Sequence, residues 1–378
     1  MSRTWRDVLS EETVGERRHV CDLPGGEKVF RQGRSLILMM PDGDRVALSS
    51  AKRNGGYFIG PTAILNTTSI TGPEEMDLMR KGHEEHMLYS IECSRMLGID
   101  PGTSIGLGTG VTMDKAAIVT ETSGGITVSA VITAGVEGNG GRAGDRASYN
   151  ELEKHESMSG TIVVILMIDA DLPPHSMARA IITATEAKTC VLQQLMAASK
   201  YSTGIASGSG TDQIAIVCHR GSPVKLTDAG KHSLLGEIIG RCVMKGLYQA
   251  LENWAGLTPE SQRNVLRRLA RYKIDKEDFL RHKRMLTSTF DESRFWNNIE
   301  EMSSNGKLVS LAAAVIHIQD EIAWGLLDEA EGKLLGREMM IKTLPGLFGS
   351  DQHLDLDEGG DLIENLVDAM VRVEPSAY

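Results

Sequence analysis

The chain has 378 residues, of which 41% are hydrophobic and 24% are charged. This length suits about two domains of ~150 residues each, and the composition is typical of a globular protein. A net charge of -11 and an isoelectric point near 5.5 argue against nucleic-acid binding and against binding to anionic membranes. The longest apolar run, 162–168, is far shorter than the roughly 20 residues that a membrane helix needs.

The cysteines and the first residues of the chain indicate the cellular compartment of the protein. Five cysteines are present, an odd number, and they form no C-x-x-C pair, so neither a disulfide framework nor a zinc site is predicted. The first residues, M-S-R-T-W-R-D, contain no apolar signal region. These features predict a cytoplasmic protein with reduced thiols.

The first part of the chain is predicted to contain mostly strands. Residues 1–27 are a polar lead segment that ends in the turn residues Pro24-Gly25-Gly26. Turn chemistry at Pro41–Asp44, between the runs Ser35–Met40 and Arg45–Ser50, predicts a hairpin. A helix is predicted over Glu74–Gly98. Further strands are predicted over Tyr57–Ile70, Ser104–Thr109, Lys115–Glu121 and Thr127–Thr133.

The middle of the chain alternates between loops and buried segments. A polar, glycine-rich loop is predicted over Gly135–Asn150. The apolar run Thr161–Ile168 is bounded by turn residues and predicts a strand buried on both faces. Pro173-Pro174 opens a predicted helix, Ser176–Ser199, because proline is tolerated in a first turn. A last strand, Gln213–His219, and an amphipathic helix, His232–Trp254, follow.

This order of elements predicts an α+β fold. Strands and helices do not alternate strictly, so residues 28–256 are expected to form a layered domain with a mixed β-sheet and packed helices. From residue 257 glycines become rare, and Pro259–Arg284 and Leu308–Leu335 have helical patterns. Residues 257–378 are therefore predicted to form an all-helical C-terminal region, and nothing in it points to chemistry.

Charged residues stand among small apolar ones on the predicted helix Ser176–Ser199. Glu186 and Lys188 lie two positions apart, so they cannot share one helix face. A charge pair in such surroundings indicates a cleft. An ordinary solvated helix face is the alternative.

Two glycine-rich loops carry further polar side chains. Backbone N–H groups of such loops bind phosphate or a developing oxyanion. The loop Gly204–Asp212 is neither a Walker loop nor a dinucleotide fingerprint. The second loop, Gly138–Asp145, follows an apolar predicted strand, and loops in that position often contact ligands. A plain connecting loop is the alternative. The polar residues of the two loops are Ser207, Ser209, Thr211 and Asp212, and Asn139, Arg142 and Asp145.

Histidines offer one candidate base and no metal site. His232 stands at the start of a predicted helix, where the N-terminus favours the neutral imidazole that a general base requires. A capping or surface histidine is the alternative. The run His83-Glu84-Glu85-His86 lacks the H-E-x-x-H order of zinc hydrolases, so no metal is expected.

Six stretches of the chain match one known family in order: Leu48–Gly56, Val131–Asp145, Gly160–Ile162, Thr183–Thr189, Ala206–Asp212 and Gly230–Gly240. In these stretches the chain resembles the adenosylcobinamide amidohydrolase family. The resemblance spans roughly Val29–Trp254, about two thirds of the chain, and the six stretches together are highly specific. The chain departs from the family at Val163, where Asn is usual, and at Ser207 and Ser209, where Thr is usual.

The resemblance implies a corrinoid-salvage hydrolase. Such an enzyme cleaves the amide between a corrin-ring propionate and the aminopropanol arm of adenosylcobinamide, which returns adenosylcobyric acid to cobalamin biosynthesis. The cobalt corrinoid is then the substrate, so no catalytic cofactor is expected. A small-molecule corrinoid is the expected partner, nucleic acid and membranes are not, and a homo-oligomer is left open.

Two mechanisms fit the candidate residues. In the first, Glu186 or His232 activates water, and Lys188 stabilises charge or protonates the leaving amine. In the second, the Thr161 hydroxyl is the nucleophile, and in one version of it cleavage at Gly160-Thr161 frees an amine as its own base. The catalytic candidates are thus Glu186, Lys188, His232, Asp212 and Thr161, and the substrate-binding candidates are Asn54, Asn139, Arg142, Asp145, Ser209 and Thr211.

Two rival functions use the same sequence features. The first is a non-catalytic corrinoid-binding or sensing protein on the same fold, which would bind tightly without turnover. The second is an amidase for an unrelated small amide. Glu186, Lys188, Asp212 and His232 are all present, which favours an active enzyme.

Overall fold

The computed structural model describes residue 9 and residues 15–41, 44–68, 83–147, 161–349 and 354–373, without the side chains of 83–86. The described chain divides into two compact units, 1–258 and 259–378. Gly160, the run 83–86 as side chains, the start of the helix predicted from Glu74, and residues 351–353 of the acidic tail lie outside the described residues.

The first unit combines strands with three described helices. The helices are α1 (His83–Met96), α2 (Pro174–Gln194) and α3 (Leu234–Ala255). The strands are β1 (Arg18–Asp22), β2 (Lys28–Gln32), β3 (Ser35–Met39), β4 (Arg45–Ser49), β5 (Gly56–Ile59), β6 (Ala63–Thr68), β7 (Ser104–Thr109), β8 (Ala117–Ser123), β9 (Ile126–Ala134), β10 (Gly140–Gly141), β11 (Ile162–Ile168), β12 (Gly208–Ser209) and β13 (Gln213–His219).

Two mixed sheets and a short ribbon organise these strands. One sheet has the order β1-β2-β3-β6-β7, the other has the order β5-β4-β13-β11-β9-β8, and β10 pairs with β12. The pairs β6/β7 and β11/β13 are parallel, and the neighbours β9 and β11 are antiparallel. A parallel pair needs a crossover connection, which contains α1 in one sheet and α2 in the other. The predicted α+β fold with a mixed sheet is confirmed.

The unit is built in four layers, helix, sheet, sheet and helices. The two sheets pack face to face through residues such as Leu38, Ile64 and Ile165. The outer face of the six-stranded sheet packs against α2 and α3, and the outer face of the five-stranded sheet packs against α1. Successive residues of β11 point to opposite faces, and all seven are buried. The prediction of a strand buried on both faces is therefore confirmed.

The hairpin predicted around Pro41–Asp44 is wrong, because β3 and β4 belong to different sheets. β3 pairs instead with β2, with Ser35 opposite Gln32, and the tight turn between them contains Gly33 at φ 52°. Glycine adopts this left-handed conformation without a steric cost. The turn residues of 41–44 therefore serve a crossing between sheets. The pairing strand β1 lies inside the predicted lead segment and was not predicted.

Two predicted elements are each split at a glycine with positive φ. The strand region Tyr57–Ile70 becomes β5 and β6, which lie in different sheets and are separated at Gly60 (φ 69°). The helical pattern Leu308–Leu335 becomes two helices separated at Gly325 (φ 72°). Apolar residues continue across both breaks, although some of them, such as Ile59 and Leu334, are exposed, so the apolar pattern alone does not reveal either break.

Every element described in the second unit is helical, as predicted. Its longer helices enclose a core that includes Phe279, Ile299 and Leu366. Each of α4 to α8 begins at an Asn or Asp whose side chain accepts backbone N–H groups of the first turn. The helices are α4 (Val265–Leu269), α5 (Lys276–Leu286), α6 (Glu292–Ser303), α7 (Gly306–Ala323), α8 (Glu329–Phe348) and α9 (Leu362–Val373).

Hydropathy along the helices bears on membrane insertion. Among the residues that the structure describes, none of the helices combines the length and the apolar character needed to cross a membrane.

A buried histidine predicts pH-dependent stability of the second unit. His282 on α5 lies against α9, with its Nδ1 3.5 Å from Asp368 and its Nε2 2.9 Å from Glu364. The contact with Asp368, and then that with Glu364, raise the pKa of His282 despite its burial. The protonated imidazole therefore stabilises the fold fully below the unfolded pKa of about 6.5, and this contribution is lost as pH rises through the raised pKa.

We expect thermal unfolding to detect this contribution. Between about pH 6 and pH 9, the wild-type midpoint should fall more than that of His282→Gln, since glutamine cannot take up the proton. His317→Gln is the matched control, because His317 is exposed in its pair with Glu321. Equal falls in the wild type and in His282→Gln would contradict the assignment.

Candidate active site

Three strands of the six-stranded sheet bring the candidate residues to one edge. β11 pairs with β9, with Ile162 opposite Ala134, and with β13, with Val163 opposite Gln213. The end of β9, the start of β11 and the start of β13 therefore lie side by side. The loop after β9, the residue before β11 and the loop before β13 meet at this edge for that reason.

Two threonine hydroxyls and an asparagine amide form the centre of this edge. The Oγ1 atoms of Thr161 and Thr211 are 2.6 Å apart, and Asn139 Nδ2 donates to Thr211 Oγ1 over 3.3 Å. Thr161 and Asn139 are buried, whereas Thr211 is exposed. The hydroxyl of Thr161 is thus held in place next to a residue that faces solvent.

A buried ion pair lies directly beside this group. Lys188 Nζ on α2 contacts Asp212 Oδ2. The other oxygen, Asp212 Oδ1, accepts hydrogen bonds from Ile162 N at 3.2 Å, Ser209 N at 3.0 Å and Ser209 Oγ at 2.6 Å. Both oxygens are therefore satisfied, as a carboxylate in a poorly solvated place requires.

The glycine loop turns its amides inward. Ser209 N donates to Asp212, and Thr211 N lies 3.4 Å from Ser209 Oγ. The ribbon β10-β12 joins this loop to the loop after β9, with Gly141 opposite Gly208. The sequence suggested that the backbone of 208–211 binds an oxyanion, but these two amides are directed within the loop.

Gly208 occupies a position where a side chain would collide with the ion pair. A Cβ built there would lie 2.6 Å from Lys188 Nζ and against Asp212 Oδ2. We expect Gly208→Ala to lower the free energy of unfolding by about 1–3 kcal/mol, as overpacking does. Gly210→Ala is the matched control, since a Cβ at Gly210 meets nothing within 4 Å. Chemical unfolding measures both, and identical midpoints would contradict the crowding.

The loop after β9 carries the candidates Arg142 and Asp145. Asp145 Oδ2 accepts from Arg142 N at 2.8 Å and from Ser199 Oγ at 2.6 Å. Partial burial opposes ionisation, but the hydrogen bond from Ser199 and others lower the pKa of Asp145. Arg142 is exposed. Asp145 thus shapes the loop, and the Arg142 side chain stands at the surface.

Glu186 lies on a different face of α2 from Lys188, and His232 follows the lysine that pairs with Glu186. Glu186 Oε1 pairs with Lys231 Nζ at 2.8 Å, and both side chains are exposed. His232 follows Lys231 and is also exposed. At 3.6 residues per turn, positions 186 and 188 are about 200° apart, so Glu186 points away while Lys188 points to Asp212. The structure does not bring Glu186 and Lys188 together.

Asn54 is bonded to backbone outside the group, and Val163 lies in the core. Asn54 donates to the carbonyl oxygens of Pro101 and Ser104, each over 2.8 Å, and has φ 53°. Its amide therefore fixes the backbone at the start of β7, which begins at Ser104. Val163, where the family usually has Asn, is fully buried in the core between the two sheets.

Two sets of hydrogen bonds near the site were not predicted from the sequence. Gln213 binds the backbone of Gly108 in both directions, with Nε2 2.9 Å from the carbonyl, and so ties the two sheets together. Asn66 Nδ2 donates to Thr133 Oγ1 over 3.0 Å in the same core. The only signal in the sequence is a polar residue within an apolar strand, which does not reveal its partner.

The described residues contain no group of three or more His, Cys, Asp or Glu side chains arranged to hold a metal ion. The Asp212 carboxylate at the candidate site is already bound by an ammonium, two backbone amides and a hydroxyl. What the arrangement offers chemically is a positioned hydroxyl, with a side-chain amide beside it.

Comparison with known proteins identifies a family and several similar proteins. The family model described as adenosylcobinamide amidohydrolase matches residues 21–259, more than half of the chain. An uncharacterized protein of Methanocaldococcus jannaschii, MJ1613, is 36% identical over 176 residues, which cover 43% of this chain and 68% of that protein.

Two solved structures are more distant. The PH0078 protein of Pyrococcus horikoshii has 13% identity and a TM-score of 0.30, and covers 63% of this chain and 82% of its own. A beta-aminopeptidase of Burkholderia sp. has 14% identity and a TM-score of 0.31, with 63% and 83% covered. Similarity this low carries no argument about chemistry. By the extent of the family match, the chain belongs to the adenosylcobinamide amidohydrolase family.

Proposed function

We propose that the protein hydrolyses the amide between the aminopropanol arm of adenosylcobinamide and a propionate of the corrin ring. The products are adenosylcobyric acid and aminopropanol. Family membership supports the substrate. The observation that carries the chemistry is the buried hydroxyl of Thr161, 2.6 Å from the exposed Thr211 hydroxyl at the head of β11.

Thr161 Oγ1 acts as the nucleophile in this proposal. It attacks the amide carbonyl and forms a tetrahedral intermediate, which collapses to an ester on Thr161 as the C–N bond breaks. The hydroxyl proton ends on the departing aminopropanol nitrogen. Water then attacks the ester, releases the corrin carboxylic acid and restores the hydroxyl. Such covalent catalysis divides one difficult step into two easier ones.

The oxyanion of the intermediate needs donors beside the nucleophile. Asn139 Nδ2 is the side-chain donor of this group, 3.3 Å from Thr211 Oγ1. The Thr211 hydroxyl is next to Thr161 and faces solvent. In the proposed mechanism these two groups bind the oxyanion, and Ser209 and Asp212 hold the loop that carries Thr211.

The water-activating mechanism finds less support. Glu186 and His232 are exposed near Lys231, on the side of α2 that faces away from Asp212. If Glu186 is nevertheless the base, Glu186→Gln lowers the rate by about 100-fold or more. A rate near that of the wild type removes Glu186 from the mechanism.

A hydroxyl nucleophile also needs a base. Cleavage of the bond between residues 160 and 161 would free the α-amine of Thr161 for that task, although residue 160 lies outside the described residues. The intact mass of the purified protein tests this version. Two fragments that meet at Thr161 support it, and a single full-length mass removes it.

The substrate assignment is tested by comparing adenosylcobinamide with N-(2-hydroxypropyl)propanamide, the same amide without the ring. We expect kcat/KM to be far higher for the corrinoid, because binding energy from the ring lowers the barrier at the amide. Similar values would favour a general amidase. A corrinoid that binds but stays intact would favour the non-catalytic binding protein.

A further inference from the structure

One carboxylate is bonded to the chain neighbours of both site hydroxyls. Asp212 directly follows Thr211 in the sequence. Its Oδ1 accepts the N–H of Ile162, which directly follows Thr161, over 3.2 Å. The same oxygen accepts from Ser209 N and Ser209 Oγ, so it also fixes the preceding turn of the loop. The 2.6 Å contact between the hydroxyls thus depends on where this carboxylate sits.

The position of the Asp212 carboxylate is set by its contact with Lys188. The Lys188 side chain is 7% exposed, and its ammonium contacts Asp212 Oδ2, the oxygen that receives none of the three hydrogen bonds from Ile162 and Ser209. Gly208 covers the pair so closely that a Cβ would lie 2.6 Å from Nζ. Such a buried ammonium is stabilised by its paired carboxylate and has little room to turn elsewhere.

We propose that Lys188 is a positioning residue, which fixes Asp212 and through it the relative placement of Thr161 and Thr211. This role rests on the proposed function, in which Thr161 is the nucleophile. It differs from a lysine that donates a proton to the leaving amine. The lysine acts one step away from the reacting atoms, and the carboxylate transmits its effect.

The two roles differ in how mutations combine. A positioning lysine and its carboxylate act as one unit, so losing both costs little more than losing either. We expect Lys188→Met and Asp212→Asn each to lower kcat by about 100-fold, the scale of a misplacement near 1 Å. The double variant should lose no more than about 3-fold further, and KM should change little. Losses that multiply, or a Lys188→Met variant with wild-type kcat, would overturn the proposal.

Lys231→Met is the matched control. Like Lys188, Lys231 pairs with a carboxylate, that of Glu186 on α2, but this second pair is exposed. Removing its charge should leave kcat unchanged, because nothing joins it to the hydroxyls through Asp212. A loss equal to that of Lys188→Met would show an effect of general charge and would overturn the proposal.

Lys188→Arg separates the roles if the methionine variant fails to fold. Arginine can pair with Asp212, but its guanidinium does not give up a proton in proteins. A kcat within about 10-fold of the wild type supports positioning. A loss as large as about 100-fold in a variant with wild-type melting behaviour supports an acid and overturns positioning.

Labelling by a β-lactone tests positioning apart from corrinoid turnover. Thr161 Oγ1 attacks the lactone carbonyl, an ester forms, the ring C–O bond opens and the proton moves to the released oxygen. Absence of corrinoid hydrolysis by the wild type would overturn the proposed function alone. Slower labelling of Thr161 in Lys188→Met than in the wild type and in Lys231→Met supports the positioning role. Equal labelling in all three proteins, or none in the wild type, would overturn it.

Discussion

Replacing Thr161 with alanine is expected to lower kcat for adenosylcobinamide hydrolysis by at least about 1,000-fold, the scale seen when a nucleophile is removed. The substitution removes the hydroxyl that lies 2.6 Å from Thr211 at the edge of the sheet. KM should change far less, because the remaining loops still bind substrate. Steady-state kinetics measures both constants.

Two variants control this experiment. Thr161→Ser keeps the hydroxyl and should retain a substantial part of the activity. Thr122→Ala removes an exposed hydroxyl near the end of β8, which lies 3.0 Å from the Thr127 hydroxyl. It should leave kcat unchanged. If Thr161→Ala keeps activity within about 10-fold of Thr122→Ala, Thr161 is not the nucleophile.

The largest expected change in stability is at Asp320 in the second unit. Its carboxylate accepts from Arg271 over 2.5 Å and from the Tyr272 hydroxyl over 2.9 Å, and Arg271 and Asp320 are both buried. Asp320→Ala removes the carboxylate to which the buried Arg271 and the Tyr272 hydroxyl both donate. We expect the free energy of unfolding to fall by about 3–5 kcal/mol. Denaturant unfolding of the full chain measures this loss.

The matched control is an exposed ion pair in the same unit. Glu338 and Lys342 are one turn apart on α8, and both are solvent-exposed. Glu338→Gln should leave the unfolding midpoint unchanged, since solvent screens such pairs. A similar midpoint for Asp320→Ala and Glu338→Gln would contradict the importance of the buried pair.

Local sequence signals were sufficient for much of the fold. The apolar run of β11, bounded by turn residues, and the prolines before α2 are signals within a few residues, and both elements form as predicted. Pairing between strands is a long-range property. The connection 41–44 has the chemistry of a hairpin turn, yet β3 and β4 pair in different sheets, because each strand finds its best partner elsewhere.

The candidate site shows the same limit. Helical periodicity was enough to predict that Glu186 and Lys188 cannot share a face. It could not indicate that Lys188 is the buried member, because its partner Asp212 is 24 residues away. Thr161 and Thr211 are 50 residues apart and meet only through the parallel register of β11 and β13. Their catalytic and binding roles remain predictions.

The most direct measurement is the product formed from adenosylcobinamide by the wild type and by Thr161→Ala, side by side, with liquid chromatography and mass spectrometry. The account predicts adenosylcobyric acid and free aminopropanol from the wild type, and unchanged adenosylcobinamide from the variant. Intact adenosylcobinamide from both proteins would contradict the proposed function. Equal yields of adenosylcobyric acid from both would contradict the role of Thr161.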